Sequence, residues 1–454
     1  MKRRQFIEHA MQAAVIASAG GLQPQRILGA NERVHVGLIG CGGRGLYVAK
    51  LMRAVPGVEF VAVADVYDPH AAEAKEWAGP SCAAYRDFRK LLERKDVDAV
   101  LVATPDHWHA TAAVLACRAG KDVYVEKPLA HTIREGRAIV DAARRYERVV
   151  QAGTQHRSAA HFREAAKIVQ SGELGPVHFV RVWNYLNMSP DGVGRAPDSS
   201  PPPELDWDFY LGPAPDVPFN KNRFLVSYRW FWDYAGGMTT DYGTHRFDSV
   251  HQVMGVDAPV RIAGSGGRYE LKDGGDTPDT LQITYEYPNF VMSYEASMLN
   301  GHGSGGRTPG KQYYLTRSQD DRPHGMAFYG TRGTLYADRV GFEVYAEPNG
   351  ESGPGAFNPG GTTPEGYRMS RQEASGEDAT ALHAKNFIEC VRSRQRPAAD
   401  VEIGHRSTAV GHLGNIALRT GHKIHWDADR ELILDDSEAS ALLGRTPRKP
   451  WDLI

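Results

Sequence analysis

Apolar and polar residues alternate in two different rhythms along this chain, and the rhythm changes near residue 152. Between Arg33 and Ala152, short continuous apolar runs fall at Val34–Ile39, Phe60–Ala64, Ala99–Ala103, Val123–Glu126 and Val149–Ala152. Helix-period stretches separate them, at Gly45–Ala54, Pro69–Trp77, Asp87–Glu93, His109–Ala119 and Ile133–Tyr146. Strands with no polar face must be covered on both sides, and helical crossovers supply that cover. The pattern predicts a doubly wound parallel sheet of the Rossmann type over residues 31–152.

Beyond that point the helix His161–Gln170 stops at Ser171-Gly172, and the strands switch to period-two alternation. They fall at Val177–Asn184, Val260–Gly264, Leu281–Tyr287 and Phe290–Ala296, the last two folded around Pro288-Asn289. In Leu281–Tyr287, Leu281, Ile283, Tyr285 and Tyr287 share one face, while Gln282, Thr284 and Glu286 take the other. One buried and one solvated face predict an open, largely antiparallel sheet. Further strands are expected at Met326–Tyr329, Gly333–Ala337 and Phe342–Ala346, and helices at Thr239–Met254, Thr380–Arg392 and Ile403–Thr420. Stretches rich in Gly, Pro and Ser at Met188–Pro203, Asn300–Lys311 and Glu347–Tyr367 read as long loops. Residues 153–454 thus form a second, α+β domain.

Charge removes some function classes. The 53 basic and 55 acidic residues leave a net charge of −2, so no basic field invites nucleic acid or an anionic membrane. Residues 1–30 differ from the rest: Lys2-Arg3-Arg4-Gln5-Phe6 precedes a modest apolar stretch, Ala10–Ala19, that ends in Ala17-Ser18-Ala19. This matches an export signal of the twin-arginine type and predicts a periplasmic protein; the alternative is a basic amphipathic helix that stays attached. The stretch is too short to span a membrane, and no other apolar run approaches spanning length. Cys41, Cys82, Cys117 and Cys390 lack metal-like spacing and read as small buried hydrophobes.

Chemistry enters at the first strand–helix junction, Gly40-Cys41-Gly42-Gly43-Arg44-Gly45. The first glycine makes a tight turn, the second admits a pyrophosphate to the backbone, and the third lets helix pack on strand. Asp65, after the second strand, is placed to bind the adenosine ribose hydroxyls. Its charge repels a 2′-phosphate, so the expected cofactor is NAD, with Arg44 leaving NADP open. At the carboxyl end of a later strand stands Glu126-Lys127-Pro128, where side chains of parallel sheets face ligands. In the second domain Asp241 and His245 lie four apart on one predicted helix, with Asp248 along the same stripe. A histidine beside a carboxylate suits proton transfer near neutral pH, but an Asp cap and a core histidine would give the same spacing. His107 and His109 diverge on a helix and no zinc spacing is present, so no metal is expected.

Taken together, Gly40–Gly45, Thr104-Pro105-x-x-x-His109, Glu126-Lys127-Pro128 and Asp241-x-x-x-His245 resemble the Gfo/Idh/MocA family of NAD(P)-dependent oxidoreductases. The stretch His412-Leu413-Gly414-Asn415-Ile416-Ala417 is similar to one seen in many exported members. The resemblance implies Lys127, Asp241 and His245 as the catalytic trio: His245 accepts the hydroxyl proton, Asp241 orients the imidazole, and Lys127 stabilises the alkoxide. It implies that Thr104, Pro105 and His109 line the cofactor cleft together with the glycine loop, Asp65, Glu126 and Lys127. Its open sheet implies a homo-oligomer, a dimer or tetramer. His156 and Tyr242 are candidates for substrate hydroxyls, and Arg157, Arg229, Trp230 and Trp232 for lining the site. The expected substrate is a sugar, polyol or glycoside, oxidised or reduced through a cofactor that stays bound. The alternatives are an NAD-dependent glycosidase working by transient oxidation and a catalytically silent carbohydrate-binding relative.

Overall fold

The computed structural model describes residues 33–301, 323–349 and 366–452. The expected export signal, most of the 300–311 loop and most of the 347–367 loop lie outside the described residues. The first sheet contains β1 (Val34–Ile39), β2 (Val58–Ala64), β3 (Ala83–Tyr85), β4 (Ala99–Val102), β5 (Asp122–Val125) and β6 (Val150–Ala152), all parallel, in the order β3-β2-β1-β4-β5-β6. Around it lie α1 (Gly43–Arg53), α2 (Asp68–Ala78), α3 (Phe88–Leu92), α4 (Asp106–Arg118) and α5 (Ile133–Arg145). Val100, Leu101, Val123 and Val125 are fully buried, as a doubly covered sheet requires. The strand order reverses between β1 and β4, which opens a crevice at their carboxyl ends.

The second sheet has ten strands: β7 (Val177–Tyr185), β8 (Arg261–Gly267), β9 (Thr280–Glu286), β10 (Val291–Ser297), β11 (His324–Gly330), β12 (Gly333–Asp338), β13 (Gly341–Ala346), β14 (Gln372–Ser375), β15 (Ile424–Asp427) and β16 (Leu432–Ile433). Among the described residues only the β7–β10 pair of this sheet is parallel. Leu281, Ile283 and Tyr285 of β9 are buried while Gln282 and Thr284 are exposed, the expected two-faced pattern. The buried face is covered by α6 (Ala160–Gln170), α9 (Gly243–Met254) and α11 (Val401–Thr420). The short α7 (Trp207–Leu211) and α8 (Gly237–Asp241), with α10 (Thr380–Ser393) and α12 (Ser437–Ala441), complete the α-helices of the described residues.

One expected element needs correction. The single helix Thr239–Met254 is two helices, α8 and α9, interrupted at Tyr242 with Gly243 following. The boundary at residue 152 is also crossed by the chain's return. Ala384, Phe387 and Ile388 of α10 pack into the β1–α1 core, and Val401 and Trp451 pack into the β4–α5 core. All four cysteines are buried and free.

The helix α11 joins the two lobes. Asp400 caps it by accepting the Glu402 N–H, and Gly421, at φ +72°, ends it. Toward the first lobe, Thr408 Oγ1 accepts the Leu129 N–H at 3.1 Å and a ring nitrogen of His412 bonds the Ala130 carbonyl at 3.0 Å. Toward the second lobe, Asn415 Nδ2 donates to the Gly236 carbonyl at 2.9 Å. One helix therefore braces both the loop after Lys127 and the start of α8.

Candidate active site

The crevice begins at the β1–α1 turn. Gly40 has φ +85°, and a Cβ there would lie 2.6 Å from Ala103 and Thr104 backbone atoms. A Cβ on Gly45 would come within 2.2 Å of the Gly40 carbonyl oxygen, so this glycine sets how closely the helix approaches the strand. Gly42 is different. Its backbone is ordinary (φ −64°, ψ 176°), and a Cβ would meet only the His70 ring, at 3.7 Å. No neighbouring group of the protein demands glycine at 42. What glycine preserves there is space in front of the α1 N-terminus, where unpaired N–H groups and the helix dipole receive a phosphate. A cavity of about 360 Å³ opens at this point, bordered by Gly42, Gly43, Asp65, Tyr67, Thr104 and Pro105.

Asp65 is fixed at the edge of this cavity. Its Oδ2 accepts the Cys41 N–H at 2.7 Å and its Oδ1 the Tyr67 N–H at 2.9 Å. The His70 ring lies 3.7 Å from it, and the neighbouring carboxylate raises the histidine's pKa. A carboxylate tied to the glycine loop in this way can accept ribose hydroxyls and opposes a further phosphate. Arg86 borders the same cavity but is held at two points by Asp68, and Arg44 turns instead to Glu126. The cradle, the acid and the open space together fit an NAD-type dinucleotide.

Lys127 reaches across to the second lobe. Its Nζ donates to Asp241 Oδ1 at 2.5 Å and to the Asp241 carbonyl at 2.9 Å. Asp241 Oδ1 also accepts Arg229 Nε at 3.2 Å. Burial works to raise the Asp241 pKa, but Lys127 and Arg229 outweigh it and hold the carboxyl below its usual range. The expected pairing of Asp241 with His245 is not formed. The break at Tyr242 turns the carboxylate toward the two cations, and His245 Nδ1 is buried without a hydrogen-bond partner. Burial, reinforced by the nearby Lys127 and Arg339, pushes the His245 pKa well below its ordinary value. The imidazole is therefore neutral and able to take a proton.

Other expected residues divide between site and scaffold. His156 lies beside His245, ring centroids 5.2 Å apart, and is anchored by Ser249 Oγ at 3.0 Å and Arg339 Nε at 3.2 Å. Thr104 and Pro105 border the cleft, but His109 does not. It is buried with its ring nitrogens on the Thr104 and Pro128 carbonyls, stapling one turn to the other. Arg157 is spent on Asp248, which also accepts Ser407 Oγ, so neither belongs to the cleft. Trp230 is core, and Tyr242 packs against the same core. Trp232 borders a separate cavity, its ring beneath the Arg419 guanidinium at 5.1 Å. Asp276 fixes that turn by accepting the Trp232 N–H at 2.8 Å.

Sequence reasoning missed Asp106, Tyr228 and Arg339. Asp106 is buried at the start of α4, accepts the Tyr228 hydroxyl at 3.1 Å, and has its pKa pushed up to about 6 by burial. Its position directly after Thr104-Pro105 was the available signal. Tyr228 lies under the Arg229 guanidinium at 4.7 Å, which links Asp106 to the Asp241 end of the site. Arg339 follows β12, more than 90 residues from His245 in the chain, and no local pattern marks it.

Comparisons with known proteins agree with this geometry. Residues 34–154 match the NAD-binding Rossmann-fold domain of the Gfo/Idh/MocA oxidoreductase family. Residues 159–288 and 370–453 match that family's C-terminal alpha/beta domain. The chain is 23% identical over 389 residues to a myo-inositol 2-dehydrogenase of Thermotoga maritima, covering 85% of this chain and 96% of that protein. It is 40% identical over 243 residues to a glycosyl hydrolase family 109 protein of Saccharopolyspora erythraea, covering 51% of this chain and 47% of that protein. In fold it is similar to a levoglucosan dehydrogenase solved with NADH and levoglucosan, with a TM-score of 0.61 and 19% identity over 89% of this chain and all of the other. With both of its lobes matched in order, the chain belongs to the Gfo/Idh/MocA family of NAD-binding oxidoreductases.

Proposed function

We propose that the protein oxidises or reduces a CH–OH carbon of a sugar, polyol or glycoside, using a nicotinamide cofactor retained between its lobes. The observation that carries this reading is the bond from Lys127 in the first lobe to Asp241 in the second, with the neutral His245 one turn further along. The bound cofactor would supply a two-electron hydride acceptor or donor. His245 takes the proton of the reacting hydroxyl, leaving a carbonyl once the C–H hydride departs. Lys127 stabilises the oxygen as it becomes negative, and Asp241 and Arg229 hold the ammonium in place. Dehydrogenases of inositol and levoglucosan among its relatives support a polyhydroxylated substrate.

The N-terminal Lys2-Arg3-Arg4 and the apolar stretch after it support export by the twin-arginine route, with the cofactor loaded before transport. Retention follows, because an exported enzyme cannot draw on a cytoplasmic nicotinamide pool. A second copy on the open sheet face is supported by an aromatic row. Phe179, Tyr329, Tyr336 and Tyr345 cross four strands with successive centroids 5.5, 6.5 and 5.8 Å apart. The test is native mass spectrometry for bound nucleotide and for subunit number, followed by a sugar panel read at the nicotinamide absorbance band. Reduction of the bound nicotinamide by a sugar and recovery with a ketone acceptor is the expected result. The family 109 relative motivates the second reading, a glycosidase that oxidises and re-reduces its substrate within one turnover. Aryl alcohol release from a glycoside without net change at the nicotinamide band would replace the first reading with the second.

A further inference from the structure

One ion pair ties the glycine turn to the residue before Lys127. Arg44, in the first turn of α1, borders the cavity of about 360 Å³ that holds Asp65 and Tyr67. It also borders a second cavity of about 300 Å³ that holds Gln155, His156 and Arg339. Between the two, Arg44 Nε donates to Glu126 Oε1 at 2.8 Å. The Glu126 side chain is 5% exposed and that of Arg44 33% exposed. Glu126 immediately precedes Lys127, and Arg44 adjoins the Gly42-Gly43 cradle. A dinucleotide with its diphosphate at the α1 N-terminus and its reactive ring near Lys127 has to run past both residues.

We propose that the Arg44–Glu126 pair is a partner-exchanging latch. It is closed in the cofactor-free protein and opens when Arg44 turns to the diphosphate, which frees Glu126 to accept ribose hydroxyls beside the reactive ring. The exchange has a clear physical basis. Glu126 Oε2 keeps the Lys127 N–H at 3.3 Å, but losing the guanidinium would still strip a buried carboxylate of its countercharge, so the pair stays closed until another donor reaches Glu126. A diphosphate gives the guanidinium a fork-shaped acceptor at least as good as the carboxylate it leaves. Hydroxyls of the neighbouring ribose then replace the N–H that Glu126 loses. A nucleoside lacking the diphosphate offers Arg44 nothing and leaves the latch shut. Release of the cofactor requires both exchanges to reverse, which suits a cofactor that remains bound.

The inference rests on the cofactor reading above, and stopped-flow binding of NADH to cofactor-stripped protein, followed by energy transfer from tryptophan, separates the two. Glu126→Gln keeps the shape and weakens the pair, so NADH association should accelerate about fivefold while the Tm of the cofactor-free protein falls. Arg44→Met should weaken NADH binding about tenfold or more, mainly through faster dissociation. In the Arg44→Met background, Glu126→Gln should no longer accelerate association. If both single variants weaken binding equally with association unchanged, Arg44 stays on Glu126 and the latch is overturned. Full NADH affinity in Arg44→Met also overturns it. Wild-type protein with no affinity for NADH would overturn the cofactor reading itself.

Discussion

At the scale of single residues, the decisive observation is where Asp241 spends its charge. It holds Lys127 and Arg229, and the imidazole of His245 is left to its surroundings. Lys127 is thus a positioned ammonium. Lys127→Met should lower turnover by about 10²–10⁴-fold while NADH affinity changes less than about twofold, measured by steady-state kinetics beside fluorescence titration. Unchanged turnover would remove the lysine from the chemistry. The pH profile tests His245 separately. Burial lowers its pKa, so the neutral, proton-accepting form persists below the ordinary histidine range, and acid must go well under pH 6.5 before activity is lost. Asp106, pushed up to about 6, would add its own limb. In Asp106→Asn, kcat/KM for alcohol oxidation should therefore show no acid limb in the ordinary histidine range near pH 6.5. A limb near 6.5 in that variant would show His245 titrating like a histidine in water.

At the scale of elements, α11 explains a stretch whose meaning the sequence concealed. His412 and Asn415 looked like features shared with relatives, yet each supports one half of the catalytic pair through a backbone carbonyl. Asn415→Leu should cost about 1–3 kcal/mol of stability by leaving the Gly236 carbonyl unpaired. If α11 positions Asp241, kcat should drop more than NADH affinity does. Equal retention of kcat would reduce the bond to scaffolding. Elements with a strong period were legible: the apolar strands β1, β2, β4 and β5, and the alternating hairpin β9–β10. The short β3 and the polar edge strand β14 carry too few residues to show a period, so their pairing is settled by neighbours already in place. The site followed the same rule. The glycine turn, Asp65, Thr104 and Pro105 border one crevice as their motifs imply, whereas His109 of the same set is buried as a staple between two turns. Trp232, Arg339 and the Asp241 contact depend on loops and on packing between distant segments.

At the scale of the whole molecule, the lobes are sewn together by buried polar groups, and this makes the fold sensitive to acid. His107 and His251 have pKa values lowered to about 3, and His383 and His412 to about 4, chiefly by burial. His107, His383 and His412 bond the Tyr210, Ala152 and Ala130 carbonyls across the junction of the lobes, and His251 bonds the Tyr287 hydroxyl within the second lobe. The sign follows from linkage. Between pH 6.5 and these lowered values the unfolded chain binds protons that the folded chain refuses, so stability falls as pH falls. For an unfolded pKa of about 6.5, each such histidine loses about 2 kcal/mol by pH 5, and four lose up to about 8 kcal/mol. Glu402 and Glu431, lowered to about 2 against burial by Arg137, with Arg406 or His405 beside them, extend the loss below pH 4.5. Asp106 opposes the trend, because a raised carboxyl pKa favours the folded state on acidification, but it is one group against several. A folded domain commonly has about 5–15 kcal/mol in total, so the loss is large on that scale. Thermal unfolding followed by circular dichroism should show Tm dropping steeply between pH 7 and 5, well before most carboxylates protonate. Replacing His412 by Gln, which keeps a donor for the Ala130 carbonyl and cannot titrate, should recover a measurable part of that drop. A Tm that holds level to pH 5 would mean that water reaches these rings and that the lobes are joined more loosely than their hydrogen bonds indicate.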